Sequence, residues 1–207
     1  MVIHSRGNNM EDTRREIEIL VDQLLAHRAE EEDINVVQAQ LGRYPRGMVA
    51  VGARCVCGNP LAVVTRPLLP GGIPFPTTCY LTAPEAVKAI SQLEANSVME
   101  IMNQRLSEES ELRIQYEIAH RIYLLFRKSL AQRLEDDESH IEGISAGGMP
   151  KRVKCLHALS AQSLIMGRGI NPFGDEALAS VSDVFDPGIC RCAQPWSQQQ
   201  SHQMLSR

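Results

Sequence analysis

Aromatic side chains are scarce: four Phe, four Tyr and one Trp in 207 residues, 4% of the chain. A core must therefore be assembled from Leu, Ile, Val, Ala and Met. No stretch approaches the roughly 18 consecutive apolar residues of a membrane-spanning helix, and Met1 to Asn9 lacks the apolar centre of an export signal. A cytoplasmic protein with no membrane partner is the expectation. Excess charge of one sign is lacking too, since 21 Lys and Arg against 25 Asp and Glu leave a formal net charge of -4. That balance does not mark a nucleic-acid binder. What is there, 43% apolar and 22% charged residues, fits a globular chain and excludes wholesale disorder.

Six cysteines (Cys55, Cys57, Cys79, Cys155, Cys190 and Cys192) stand in this chain. In a cytoplasmic setting they are thiols or metal ligands before they are disulfides.

Hydrophobic spacing divides the chain. Ile17, Leu20, Val21, Leu24 and Leu25 recur at three and four, which predicts a helix over 11–28, and Ile34, Val37 and Leu41 predict a second over 32–41. Polar sequence flanks the first, so residues 1–33 are expected to form an N-terminal helical arm through which copies of the chain could pair. Glu30, Glu31, Glu32 and Asp33 read as a solvated hinge. From Gly47 to Leu81 the pattern turns to β, with strands at 48–54, 61–66 and 77–81 forming a small antiparallel sheet. After Thr82 the 3.6-residue period takes over. Thr82 and Glu85 fit a capping box around Pro84, the apolar series Leu112, Tyr116, Ala119, Tyr123, Phe126 and Leu130 marks a long helix, and another is expected from Pro150 to Met166. The fold class is therefore α+β: a three-stranded sheet covered by a helical bundle in one domain over 34–186, followed by a Cys-containing flexible tail over 187–207.

Two constellations could carry chemistry. In the first, Ser145-Ala-Gly-Gly-Met-Pro150, the glycines Gly147 and Gly148 allow a tight turn, Pro150 suits a first helical position, and Lys151, Arg152 and Lys154 follow at once. Cations at a helix start oppose the macrodipole unless an anion offsets them. The segment reads as an anion or phosphate pocket, or as a basic surface patch facing the acidic run Glu135 to Glu138. In the second, Cys55-x-Cys57-Gly lies on a turn, Cys155-x-His157 on the expected helix and Cys190-x-Cys192 in a coil. Thiolates on Gly-containing turns suit tetrahedral metal sites, although CxC is less diagnostic than CxxC. The set Cys55, Cys155, Cys190 and His157 would make one centre for zinc or an iron–sulfur cluster, with Cys57, Cys192 or His120 as substitutes. On a regular helix Cys155 and His157 point about 200° apart, which argues that one of them is structural. Packed thiols are the competing reading. His120 follows Glu117 in the E-x-x-H spacing of a di-iron helix, without the second copy such a centre needs.

Gln40-Leu-Gly-Arg-Tyr-Pro-Arg-Gly47, Arg54-Cys55, Pro74-Phe-Pro-Thr77, Ser145 to Pro150, Val153-Lys-Cys-Leu-His157 and Asn171-Pro-Phe-Gly-Asp175, in that order, resemble the uncharacterised family of domain of unknown function 501, of the actinobacterial type. The resemblance spans about residues 36–180. It implies no established activity. Family members commonly carry a second His where this chain has Gln162, and some carry Cys where it has Ala83.

Two functions follow from these readings. One is a binding module whose Gly-rich loop recognises an anionic small molecule or an anionic protein partner. The other is a small enzyme on a phosphorylated or polyphosphate substrate, with His157 as the catalytic proton donor or acceptor.

Overall fold

The computed structural model describes residues 10–193. The helices α1 (Met10–Ala26) and α2 (Glu31–Leu41) are followed by strands β1 (Met48–Arg54), β2 (Pro60–Thr65), β3 (Leu68–Leu69), β4 (Ile73–Pro74) and β5 (Cys79–Leu81). Then come α3 (Pro84–Ala95), α4 (Val98–Glu108), α5 (Ser110–Leu134), a 3₁₀ turn at Ser139–Ile141, α6 (Leu156–Met166) and α7 (Pro172–Ser180). The protein is α+β, as the change of period at Thr82 implies.

The sheet runs β1-β2-β5, antiparallel throughout, with Val51 opposite Val63 and Val63 opposite Tyr80. Every residue of β2 is buried, as a central strand covered on both faces requires. The Pro/Gly-rich connection after β2 adds the two-residue hairpin β3–β4, a detail below the reach of periodicity.

Helix α6 is the centre of the domain. Of its eleven residues only His157 and Leu164 are not buried, which is why it shows no amphipathic stripe. It packs against all three strands of the main sheet, α3 and α7. Its approach to the sheet depends on Gly52, where an added Cβ would come within 2.5 Å of Ile165 Cγ1. The long helix α5 closes the other side; Tyr116 meets Phe173 of α7 edge-on at 5.0 Å, and the Tyr123 hydroxyl accepts from Thr78 N–H at 2.6 Å while donating to Pro76 O at 2.9 Å.

Several expectations are corrected. The N-terminal segment described is no free arm, because α1 sinks Ile17, Leu20, Val21 and Leu24 into the common core against α5 and β1. Its stripe, narrow on paper, is wide enough once α5 supplies the facing ridge. The acidic run is no solvated hinge: Asp33 is buried in the first turn of α2, where it accepts both guanidinium nitrogens of Arg54 at 2.8 Å. Thr82 does not cap α3. That helix starts from Ala83 without a side-chain cap, while Glu85 accepts from Ala193 N–H at 3.0 Å. Most consequentially, α6 begins at Leu156 and not at Pro150. Of the expected tail, residues 187–193 lie against the β1–β2 turn, with Val56 N–H donating to Pro187 O at 3.3 Å; residues 194–207 lie outside the described residues.

Candidate metal centre

The turn joining β1 to β2 is built to hold two thiols. Cys55 N–H donates to Asn59 O at 2.9 Å and Gly58 N–H to Cys55 O at 2.8 Å, with Gly58 at φ 98°. A positive φ at this position favours glycine, which accounts for the Cys-x-Cys-Gly order. The turn is pinned from outside by Arg54, whose Nη1 also donates to Gly58 O at 3.0 Å, and by Gln40, whose Nε2 donates to Pro60 O at 2.9 Å. Arg54 is in turn fixed by the buried Asp33, so α2 orients the turn.

Facing this turn is the segment after α7. A turn at Asp186–Ile189 sends the chain back, and Cys190 and Cys192 arrive beside Cys55 and Cys57, with all four sulfurs within 4.8 Å of one another. Cys57 Sγ lies 3.8 Å from Cys192 Sγ. Two thiolates on one tetrahedral zinc, each at about 2.3 Å, stand about 3.8 Å apart. The spacing therefore suits a single ion; a cluster of several irons would spread its thiolates wider. The burial is graded, from Cys55 inside to Cys190 at the surface. Burial pushes the Cys55 and Cys192 thiols up, and the Asn59 side chain works the other way on Cys192 through a hydrogen bond. A bound cation would reverse that preference and take the sulfurs as thiolates.

The expected ligand set is thus redistributed. Cys55 and Cys190 belong together, joined by the two substitutes Cys57 and Cys192; Cys155 and His157 form a separate group with Glu94. The helical argument that kept Cys155 and His157 apart fails because Cys155 precedes α6 with extended backbone, φ -149° and ψ 105°. His120 joins neither group: its Nδ1 lies 2.9 Å from Ser145 Oγ, and burial, helped by the Arg127 charge, lowers its pKa. Gln162, at the position where a second His was at issue, is wholly buried in an amide chain to Ala119 O and Asn171.

Glu94 was missed by sequence reasoning, and no local signal would have found it. Its Oε1 accepts from Leu156 N–H at 2.6 Å and from His157 Nδ1 at 3.1 Å. The start of α6, where the basic segment predicts an external anion, is met by the chain's own carboxylate. His157 Nε2 lies 3.2 Å from Val87 O and 3.1 Å from Ser91 Oγ.

Gly147 and Gly148 have φ of 67° and 92°, and the loop folds onto itself: Lys154 and Cys155 N–H both donate to Gly147 O, and Arg152 N–H donates to Gly148 O. A Cβ on Gly148 would meet Arg152 O at 2.5 Å. The glycines therefore serve close packing of this loop. Lys151, Arg152 and Lys154 are exposed on it, with no ion-pair partner among the described residues.

Among the described residues no helix is long and apolar enough to cross a membrane. No curated protein and no solved structure matches the chain. The sequence model of one family does, over residues 51–179, a span that takes in all of the sheet but the first residues of β1, α3 to α6, nearly all of α7 and the Cys55–Cys57 turn, but stops short of Cys190. The chain belongs to the family described as Protein of unknown function (DUF501).

Proposed function

We propose that this protein is a zinc-stapled binding module, in which Cys55, Cys57, Cys190 and Cys192 hold one structural zinc ion. The observation that carries this reading is the convergence of four sulfurs, from two Cys-x-Cys segments far apart in sequence, to within 4.8 Å. Four protein ligands leave no open position, the arrangement of a structural rather than a catalytic zinc. The ion would fasten the segment after α7 to the β1–β2 turn and so complete one wall of a cleft of about 570 Å³, lined among others by Arg54, Arg168, Asp175, Phe185 and Pro187. A cleft of that size fits a small-molecule ligand.

The test is elemental analysis with a visible spectrum on protein purified without oxygen. One zinc per chain and a colourless solution are expected, with zinc lost in C55S and C192S. Iron with visible absorption, or no metal, overturns the reading.

A second reading, recognition of an anion by Lys151, Arg152 and Lys154, is favoured by the exposure of these three cations without ion-pair partners among the described residues. It rests on their field alone, since Glu94 occupies the start of α6. Protection by phosphate or polyphosphate against thermal unfolding, abolished in K151E/R152E, would support it; equal protection of the variant would reject it.

A further inference from the structure

We infer that Cys155 is a reversible thiolation site, its sulfur held beside the His157 ring at the start of α6 to attack a low-molecular-weight disulfide and carry the mixed disulfide that results. The inference rests on the Glu94–Cys155–His157 group and stands whether or not the four-cysteine site takes zinc.

The geometry of His157 comes first. Its Nδ1 faces the Glu94 carboxylate at 3.1 Å and its Nε2 faces the Val87 carbonyl at 3.2 Å. Carboxylates and carbonyls only accept hydrogen bonds, so both ring nitrogens donate and the ring carries a positive charge at neutral pH. Such a ring offers no lone pair to a metal. It also cannot take a proton from Cys155, so its service to the thiol is that of a hydrogen-bonding cation. Of the two expected roles of His157, proton donor or acceptor, a charged ring leaves only that of donor. The Ser91 hydroxyl, 3.1 Å from Nε2, donates to Val87 O at 2.7 Å and closes the surround of the ring.

Cys155 has the complementary placement. Its sulfur lies within 4.8 Å of a ligand atom of both His157 and Glu94, and it occupies the N-cap position of an eleven-residue helix. An imidazolium attracts a neighbouring thiolate, and the thiolate is the nucleophile. Glu94 is the one negative group in the cluster, and its charge is already engaged by His157 and by Leu156 N–H. Lys154, exposed next to Cys155, adds a second cation. Cys155, His157 and Glu94 are all partly exposed, whereas Cys79 is wholly buried.

The step balances simply. The Cys155 thiolate attacks one sulfur of a disulfide R–S–S–R; that S–S bond breaks, a Cys155–S–S–R bond forms, and the displaced R–S⁻ leaves with the electron pair and takes a proton from water. Cys155 is oxidised and the departing thiol is reduced. The group holds no second cysteine to resolve the adduct. Removal is the reverse step, driven by an external thiol.

The experiment uses the full chain and oxidised glutathione as the probe, with acid quenching, proteolysis and mass spectrometry to read the initial rate at each cysteine. Cys155 of the folded protein is expected to take up glutathione at least roughly tenfold faster than Cys155 of the urea-unfolded chain at the same pH. H157Q is expected to lose most of that advantage while keeping the Tm of a folded protein. A folded-state rate equal to or below the unfolded one overturns the inference, as does first modification at another cysteine, or an H157Q rate equal to wild type. If H157Q does not fold, the comparison of folded and unfolded wild type decides alone.

Discussion

Cys57 Sγ and Cys192 Sγ lie 3.8 Å apart although 135 positions separate them in the chain. Val56 N–H donates to Pro187 O and Ala193 N–H to Glu85 Oε1, and both Cys57 and Cys192 pack against the edge of the core. An ion at the four sulfurs would add to these contacts, since a structural zinc contributes its binding directly to folding.

Chelation of the metal, or C192S, is therefore expected to release the segment after α7 from the β1–β2 turn before the rest unfolds. The loss should be about 3 kcal/mol, or on the order of 10 °C in Tm for a chain of this size. Amide exchange would show early exposure of residues 182–193 with α6 still protected. Unchanged exchange in that segment after complete metal removal would contradict it.

A second prediction concerns the loop after α5. The Arg127 side chain is 2% exposed; its Nε donates to Glu138 Oε2 at 2.7 Å and its Nη2 to Ile141 O at 2.8 Å, with Nη1 on Ile144 O. One guanidinium thus gathers three points of the loop 135–148. Arg127→Leu would strand Glu138 and two carbonyls at a cost of about 3–5 kcal/mol, whereas E138Q, keeping both carbonyl bonds, should cost about 1 kcal/mol. Urea denaturation of both variants checks the ratio; comparable losses would mean that the ion pair and not the carbonyl bonds anchors the loop.

The long elements were legible because period alone reveals them: α5 needs only its stripe of Leu112, Tyr116, Ala119, Tyr123, Phe126 and Leu130, and β1 and β2 their runs of Val and Ala. Each Cys-x-Cys was legible too, and their equal spacing is a signal that they pair. What was not legible was which cysteines meet, because Cys155 is equally close in sequence to a His. Choosing between His157 and Cys190 as partners requires knowing that α6 starts at Leu156. That boundary is set by Glu94 on another helix, and by Gly147 O accepting from Lys154 and Cys155. Tertiary partners, not local propensity, moved the helix start.

The Asn171-Pro-Phe-Gly-Asp175 segment yields a third prediction. Asn171 Oδ1 accepts from Gly174 N–H at 3.0 Å as the cap of α7, and its Nδ2 donates to Gln162 Oε1 at 2.8 Å. N171A would remove the cap and orphan a buried amide oxygen, at a cost of about 2–3 kcal/mol. G174A should be as damaging for a different reason, because its Cβ would lie 2.3 Å from Leu159 O and 2.5 Å from Ser163 Oγ. Tm measurements on the two variants should show similar losses, and a G174A protein of wild-type stability would show that α7 can shift away from α6.

The last prediction follows from His157. A hydrogen bond with the Cys155 side chain, with the Glu94 charge and the Val87 carbonyl in support and burial opposing, holds the ring charged and raises its pKa from 6.5 to about 9. A folded-state pKa above the unfolded value means that the charged ring's contribution is fully present below about 6.5 and is lost as pH rises through about 9. The wild type should therefore lose about 1–3 kcal/mol across that window relative to H157Q, the lower figure reflecting the part of the ring that water reaches. Urea denaturation of both proteins at about pH 6 and about pH 10 measures the difference, and NMR titration of the His157 ring gives the pKa directly. In E94Q the ring loses the support of its carboxylate, and its pKa should fall part of the way while the Cys155 hydrogen bond still holds it up. A wild-type ring titrating near 6.5 would mean that it is neutral at neutral pH, and both the pH dependence and the cation beside Cys155 would fall together.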